Sequence, residues 1–231
     1  MKVLLIGNSH TYYNDMPHLL ELFAEERGLP METVMLAHPG QSFQWHMNEY
    51  NEVRYNLLYG KYDYCILQQV AHPMPTDLES TFSSAVRLCS LCRAGGAKPV
   101  FSLTWAEKEF PEHQALMDRT YREMAAQNSA LLSPVGFIWQ EVRSRHPEIE
   151  LYWQDNRHAS PYGSYLIACC HFRLLTSQPV TGLSPKGLDF YHGLTSFETS
   201  VEDPSQTAVL LDAAACASIQ TAVDTYFETH I

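Results

Sequence analysis

Val3-Leu4-Leu5-Ile6-Gly7-Asn8-Ser9-His10-Thr11, close to the start of the chain, is the stretch from which the rest can be read. Four consecutive apolar residues, two of them β-branched, suit a strand covered on both faces, as in a parallel sheet. Gly7 permits a backbone turn that a Cβ would hinder. Ser9 is then delivered to the strand's C-terminal edge, where open α/β sheets bind ligands. A serine there is a candidate nucleophile. Asn8 and Ser9 are also residues that form turns through their own local hydrogen bonds, so this stretch alone leaves both readings open.

The same alternation repeats along the chain. Met16 to Arg27 carries Leu19, Leu20, Leu22 and Phe23 at helical spacing, with Pro17 in its first turn and Gly28 and Pro30 as its stop. Thr33 to Ala37 reads as a second strand that ends in His38-Pro39-Gly40-Gln41-Ser42, and one helix is expected from Gln44 to Tyr59. Tyr64 to Leu67 is a third strand, entering Gln68-Gln69-Val70-Ala71-His72-Pro73. After a helix over Leu78 to Arg93, Pro99 to Leu103 makes a fourth strand, with Pro99 confined to its start because it donates no ladder bond. A helix over His113 to Gln127 precedes a fifth strand within Ala130 to Val135. Five strands separated by helices predict a single α/β domain over 1–231 with a parallel sheet and crossover helices.

The second half predicts a helix from Phe137 to Arg145, then Leu151-Tyr152-Trp153 leading into Gln154-Asp155-Asn156-Arg157-His158-Ala159-Ser160-Pro161. Ser160 can cap a helix that has Pro161 in its first turn and its apolar face in Tyr162 to Leu175. Gln178 to Asp203, rich in Gly, Pro and Ser, reads as a surface excursion. A last helix, from about Ser205 to Phe227, is expected to pack through Val209, Leu210, Ala213 and Ile219.

Composition narrows the function classes. The 231 residues are 45% hydrophobic, enough for one sizeable core, and the formal net charge of −11 disfavours nucleic acid and anionic membranes as partners. Only four strongly apolar residues follow Lys2, too short a run for a signal-peptide core or a membrane span; a cytoplasmic chain, or one whose export signal has been trimmed, is expected. Six cysteines, among them Cys89 and Cys92 in a helical pattern, Cys65 in a strand and the adjacent Cys169 and Cys170, read as buried free thiols. No metal-ligand spacing links the eleven histidines, and no glycine-rich dinucleotide loop follows the first strand, so neither metal nor cofactor is expected.

Ester cleavage by a serine requires an imidazole to take its proton, a carboxylate to fix the imidazole's tautomer, and donors aimed at the developing oxyanion. Asp155 and His158, three apart on a loop before a helix, can supply the first two. Taken alone, they could instead be a turn residue and a surface imidazole. Three residues could shape a substrate pocket: His10, beside the serine, and Thr104 and Trp105, past the fourth strand. Each has a bland counterpart, carbonyl bonding for His10 and simple core packing for Trp105.

The order of these blocks resembles the SGNH hydrolase, or GDSL-type esterase, superfamily from residue 3 to about 176. Gly7-Asn8-Ser9 is similar to its first block, Gly40 to its second-block glycine, and Asp155 to His158 to its last. The Pro161-Tyr162-Gly163-Ser164-Tyr165-Leu166 run resembles the segment after that histidine in many members. The resemblance implies a three-layer, flavodoxin-like sandwich with helices on both faces of the five-stranded sheet. It implies Ser9 as nucleophile, His158 as general base and Asp155 as its orienting partner. It also implies an oxyanion hole from the Ser9 and Gly40 backbone N–H groups and a side-chain amide. The third block, usually Gly-x-Asn-Asp, is absent here. Gln68 is the candidate amide and Gln69 the alternative, as in a variant branch with Leu-Gln at this strand end. The implied activity is a serine esterase acting on a short acyl ester of a carbohydrate or other small alcohol. The rival is a non-catalytic carbohydrate-binding relative that keeps the pocket.

Overall fold

The computed structural model describes residues 1–72, 76–188 and 208–230, which fall into two compact units interleaved in sequence: Met1–Thr11 with Pro30–Gly136, and Tyr12–Leu29 with Phe137 onward. The architecture is an α/β sandwich built on a five-stranded parallel sheet.

The first unit holds that sheet: β1 (Lys2–Gly7), β2 (Glu32–Ala37), β3 (Tyr64–Leu67), β4 (Lys98–Ser102) and β5 (Leu131–Ser133), in the order β2-β1-β3-β4-β5. Every pairing is parallel, with Leu5 opposite Met35 on one side and Ile66 on the other. This is the flavodoxin-like order, whose ligand crevice lies beyond the C-terminal ends of β1 and β3, where the strand order reverses. Val3, Leu4, Leu5 and Ile6 are all 0% exposed, as an apolar run without alternation requires of a strand covered on both faces. Pro99 is the second residue of β4, not its first; pairing with β5 begins only at Val100 opposite Leu131, so the missing N–H breaks no bond on that side.

Around it, among the described residues, the unit carries α3 (Phe43–Asn48), α4 (Tyr50–Tyr59), α5 (Leu78–Ala94) and α6 (Gln114–Gln127). The single helix expected over Gln44 to Tyr59 is therefore two. Glu49 leaves the helical region at ψ 46°, and Tyr50, which a continuous apolar stripe from Phe43 and Met47 would bury, stays 41% exposed.

The second unit contains α2 (Met16–Glu26), most of α7 (Val135–Arg145), α8 (Pro161–Thr176) and α9 (Ala213–His230), with an antiparallel pair of short strands, β6 (Lys186–Leu188) and β7 (Ala208–Leu210). A four-residue helix, α1 (Ser9–Tyr12), begins in the first unit and runs into the second. Helix α8 packs against both α2 and α9. Ser160 caps α8 as expected, its hydroxyl accepting from the Gly163 N–H at 3.2 Å. Two expectations need correction. Val209 and Leu210 belong to β7, and the Leu210 side chain is 82% exposed, because helix α9 starts only after Asp212. The excursion after Gln178 is no loose surface loop over its first residues: Val180 and Leu183 are buried, and Asp224 of α9 accepts from the Val180 and Thr181 N–H groups. Its remainder from 189, Ser205 of the expected last helix and Pro73 of the third turn lie outside the described residues. All six cysteines are buried free thiols, and none of the described helices is long and apolar enough to cross a membrane.

Candidate active site

In the first unit the turn after β1 is held by a small network of buried amides. Ser9 is half-buried and opens α1 directly after Asn8. The Gln68 Oε1 atom, at the end of the neighbouring β3, accepts both the Asn8 N–H (3.1 Å) and the Thr11 hydroxyl (3.0 Å). These bonds span the point where the strand order reverses, and they explain Gly7. Its φ is not left-handed; instead a Cβ there would run into the Thr11 hydroxyl and stand 2.7 Å from Gln68 Oε1. Gly7 is therefore needed for close approach rather than for the backbone freedom its sequence context suggested. The Asn8 side chain accepts the His10 N–H at 3.1 Å and donates to the Gln41 carbonyl at 3.0 Å, joining the first loop to the second.

Gly40 lies in that second loop at φ +68°, the third residue of a turn closed by the Gln41 N–H on the His38 carbonyl. With Pro39 before it, this is the arrangement of a type II turn, where glycine alone is unstrained. Ser42 then caps α3. Gln69 ties three segments together: its Oε1 accepts from the Phe43 and Val70 N–H groups, and its Nε2 donates to Thr81 Oγ1. The Gln68 NH2 donates to the Gln69 carbonyl. Both amides act as braces in this arrangement, and each NH2 retains a second N–H.

His46, which the sequence did not single out, donates through Nε2 to the Gly7 carbonyl at 2.8 Å. Burial, reinforced by the nearby His38, holds its imidazole below the ordinary value against the opposing effects of the Gly7 carbonyl and Glu52. A proton on Nε2 is what this bond requires. The remaining predicted pocket residues are buried within the unit. Trp105 is 2% exposed, its ring 5.1 Å from that of His10, which in turn lies 4.8 Å from His72; Thr104 is fully covered.

In the second unit, Asp155 and His158 occupy a tight hairpin between the antiparallel bridge partners Tyr152 and Ala159. Asn156 turns the chain at φ 60°, a conformation asparagine tolerates better than most residues. Asp155 Oδ1 accepts the backbone N–H groups of Arg157 (3.0 Å) and His158 (2.9 Å), and Oδ2 takes the His158 Nδ1 at 2.5 Å. Burial works against the charge on Asp155, but the His158 ring and these two N–H groups outweigh it and hold the carboxyl below its ordinary value. An ionised carboxylate only accepts, so the imidazole bonds it through a proton on Nδ1. A base that works through Nε2 needs its ring proton on the Nδ1 side.

The opposite side of this unit's site is a turn the sequence reading passed over. Tyr13 to Asp15 form one turn of 3₁₀ helix containing two successive left-handed residues, Asn14 (φ 53°) and Asp15 (φ 49°). The Tyr13 ring stacks face to face on the His158 imidazole, with centroids 4.0 Å apart and planes within 7°. The available sequence signal was the Asn14-Asp15 pair, the two residue types that enter this region most readily after glycine.

No protein-family model matches the sequence, and no curated protein matches it either. Among solved structures, the chain is similar to a candidate SGNH hydrolase from Slackia heliotrinireducens, at 26% identity and a TM-score of 0.67, covering 76% of this chain and 98% of that one. A DUF4886 family protein from Bacteroides uniformis matches in fold over 99% of this chain and 95% of its own, at 18% identity and a TM-score of 0.76. An acetylxylan esterase from Geobacillus stearothermophilus, crystallised as a catalytic mutant, shares the fold at 13% identity and a TM-score of 0.62, over 76% of this chain and 94% of its own.

Proposed function

We propose that this chain, which belongs to the SGNH hydrolase superfamily, cleaves short acyl esters of small alcohols, acylated carbohydrates among them, through an acyl-enzyme on Ser9. The observation that carries the reading is the Asp155–His158 pair, in which a charged carboxylate holds the imidazole by its Nδ1 edge. In the proposed course His158 Nε2 takes the Ser9 hydroxyl proton as Oγ attacks the ester carbonyl. It then gives that proton to the departing alcohol oxygen. A water, deprotonated by the same nitrogen, attacks the acyl carbon; the acyl C–Oγ bond breaks, the carboxylic acid leaves, and the proton on Nε2 returns to Ser9 Oγ. The Ser9 and Gly40 N–H groups, with the second N–H of Gln68, are the proposed oxyanion donors. His10, Thr104 and Trp105 are the proposed pocket wall. Preference for a carbohydrate ester is supported by the acetylxylan esterase among the similar structures.

Turnover of p-nitrophenyl acetate and of acetylated xylo-oligosaccharides tests this. Ser9→Ala and His158→Ala are each expected to abolish hydrolysis, because residues acting as a unit fail together, while Asp155→Asn retains a fraction. Undiminished turnover in Ser9→Ala or His158→Ala refutes the mechanism. Saturable glycan binding by a wild type that no fluorophosphonate labels would favour a non-catalytic carbohydrate-binding protein.

A further inference from the structure

The turn formed by Tyr13 and Asn14 is built as strained backbone turns at functional sites are built: its geometry is imposed by its surroundings. Asn14 is fully buried, yet its Nδ2 makes two bonds, to the Ala159 carbonyl at 3.0 Å and to Ser164 Oγ at 2.8 Å. The Ser164 hydroxyl in turn donates to the Tyr13 carbonyl at 3.1 Å. Ala159 is the residue directly after His158, and Ser164 lies in the first turn of α8. One asparagine thus fixes the turn simultaneously to the end of the His158 hairpin and to the helix behind it. The two left-handed residues aim the Tyr13 ring, and the result is the nearly parallel stack on the imidazole.

Two restraints therefore act on His158 from different directions. Asp155 fixes the ring's edge through Nδ1. A flat aromatic face at 4.0 Å, within 7° of parallel, restrains the plane of the ring. We propose that Tyr13, aimed by the Asn14 staple, is a positioning residue for the His158 general base: it sets the plane of the imidazole, and so the direction in which Nε2 points, without itself touching substrate. This rests on the esterase reading, and it adds a residue that motif order does not supply. Flatness is what the role needs, so the phenol hydroxyl is dispensable and an aromatic ring is not.

The test uses the full chain in four forms: wild type, Tyr13→Phe, Tyr13→Leu and Asn14→Ala, with thermal melts to establish that each is folded. Proton NMR of the imidazole resonances, assigned to His158 by their loss in His158→Gln, reports the stack independently of catalysis. Ring-current displacement of those resonances is expected in wild type and Tyr13→Phe and absent in Tyr13→Leu. On p-nitrophenyl acetate, Tyr13→Phe is expected within about twofold of wild type, while Tyr13→Leu loses at least about tenfold in kcat with KM unchanged, as a misdirected base should. Asn14→Ala should follow Tyr13→Leu in both readouts if folded; if it is not, the Tyr13 pair decides. Wild-type kcat in Tyr13→Leu, or His158 resonances unmoved by it, overturns the proposal. A wild type inert on every ester, with the ring-current signature intact, would instead refute the esterase reading and leave the stack standing.

Discussion

His171 offers the sharpest quantitative test of how this fold is put together. It lies on the buried face of α8, 1% exposed, and burial pushes its imidazole down to about 3, from an ordinary 6.5. In the unfolded chain the same ring takes up a proton near pH 6.5; in the folded chain it does not until far more acid conditions. The unfolded state therefore binds more protons throughout the interval, and stability falls as pH falls. Above pH 6.5 the contribution is fully present. At pH 5, 1.5 units below the unfolded value, the loss at about 1.4 kcal/mol per unit comes to about 2 kcal/mol. His46, also held below its ordinary value, acts in the same direction and remains in the variant. Urea denaturation of wild type and His171→Gln at pH 7 and pH 5 measures the effect, and urea leaves ionic strength unchanged. The variant is expected to be less stable than wild type at pH 7. Its own change between the two pH values should be smaller than that of wild type by about 2 kcal/mol. Equal pH dependence in the two proteins would mean that His171 is solvated or already charged, and the argument from burial would fail.

Two substitutions probe the frame around the candidate site. Gly7→Ala forces a methyl toward the Thr11 hydroxyl and Gln68 Oε1; a stability loss of about 1–3 kcal/mol by urea denaturation is expected, with esterase activity falling further than stability alone would cause. Ser160→Ala removes the cap of α8 and the bond to the Glu150 carbonyl, and should lower stability by about 1–2 kcal/mol with KM unchanged.

How much of this was legible in the residues depends on the range of the forces involved. Many strands and helices of both units could be read because burial on both faces writes an unbroken apolar run, as in Val3 to Ile6, and because Gly, Pro and capping Ser act locally, as at Gly28, Pro161 and Ser160. The Asp155–His158 bond was legible for the same reason: both ends sit on one short hairpin. What needed tertiary structure were contacts between residues far apart in sequence, where no local pattern exists. Gln68 reaches back 60 residues to Asn8, His46 reaches 39 to Gly7, and Asn14 reaches 145 to the Ala159 carbonyl. The family resemblance made Gln68, with Gln69 as the alternative, a candidate oxyanion donor; the fold makes the Gln68 side-chain oxygen the brace of the serine turn. Tyr13 looked like any aromatic beside a turn until two left-handed residues aimed its ring at an imidazole. The chain's own chemistry determined which groups could react; the long-range hydrogen bonds decided which of them are held still.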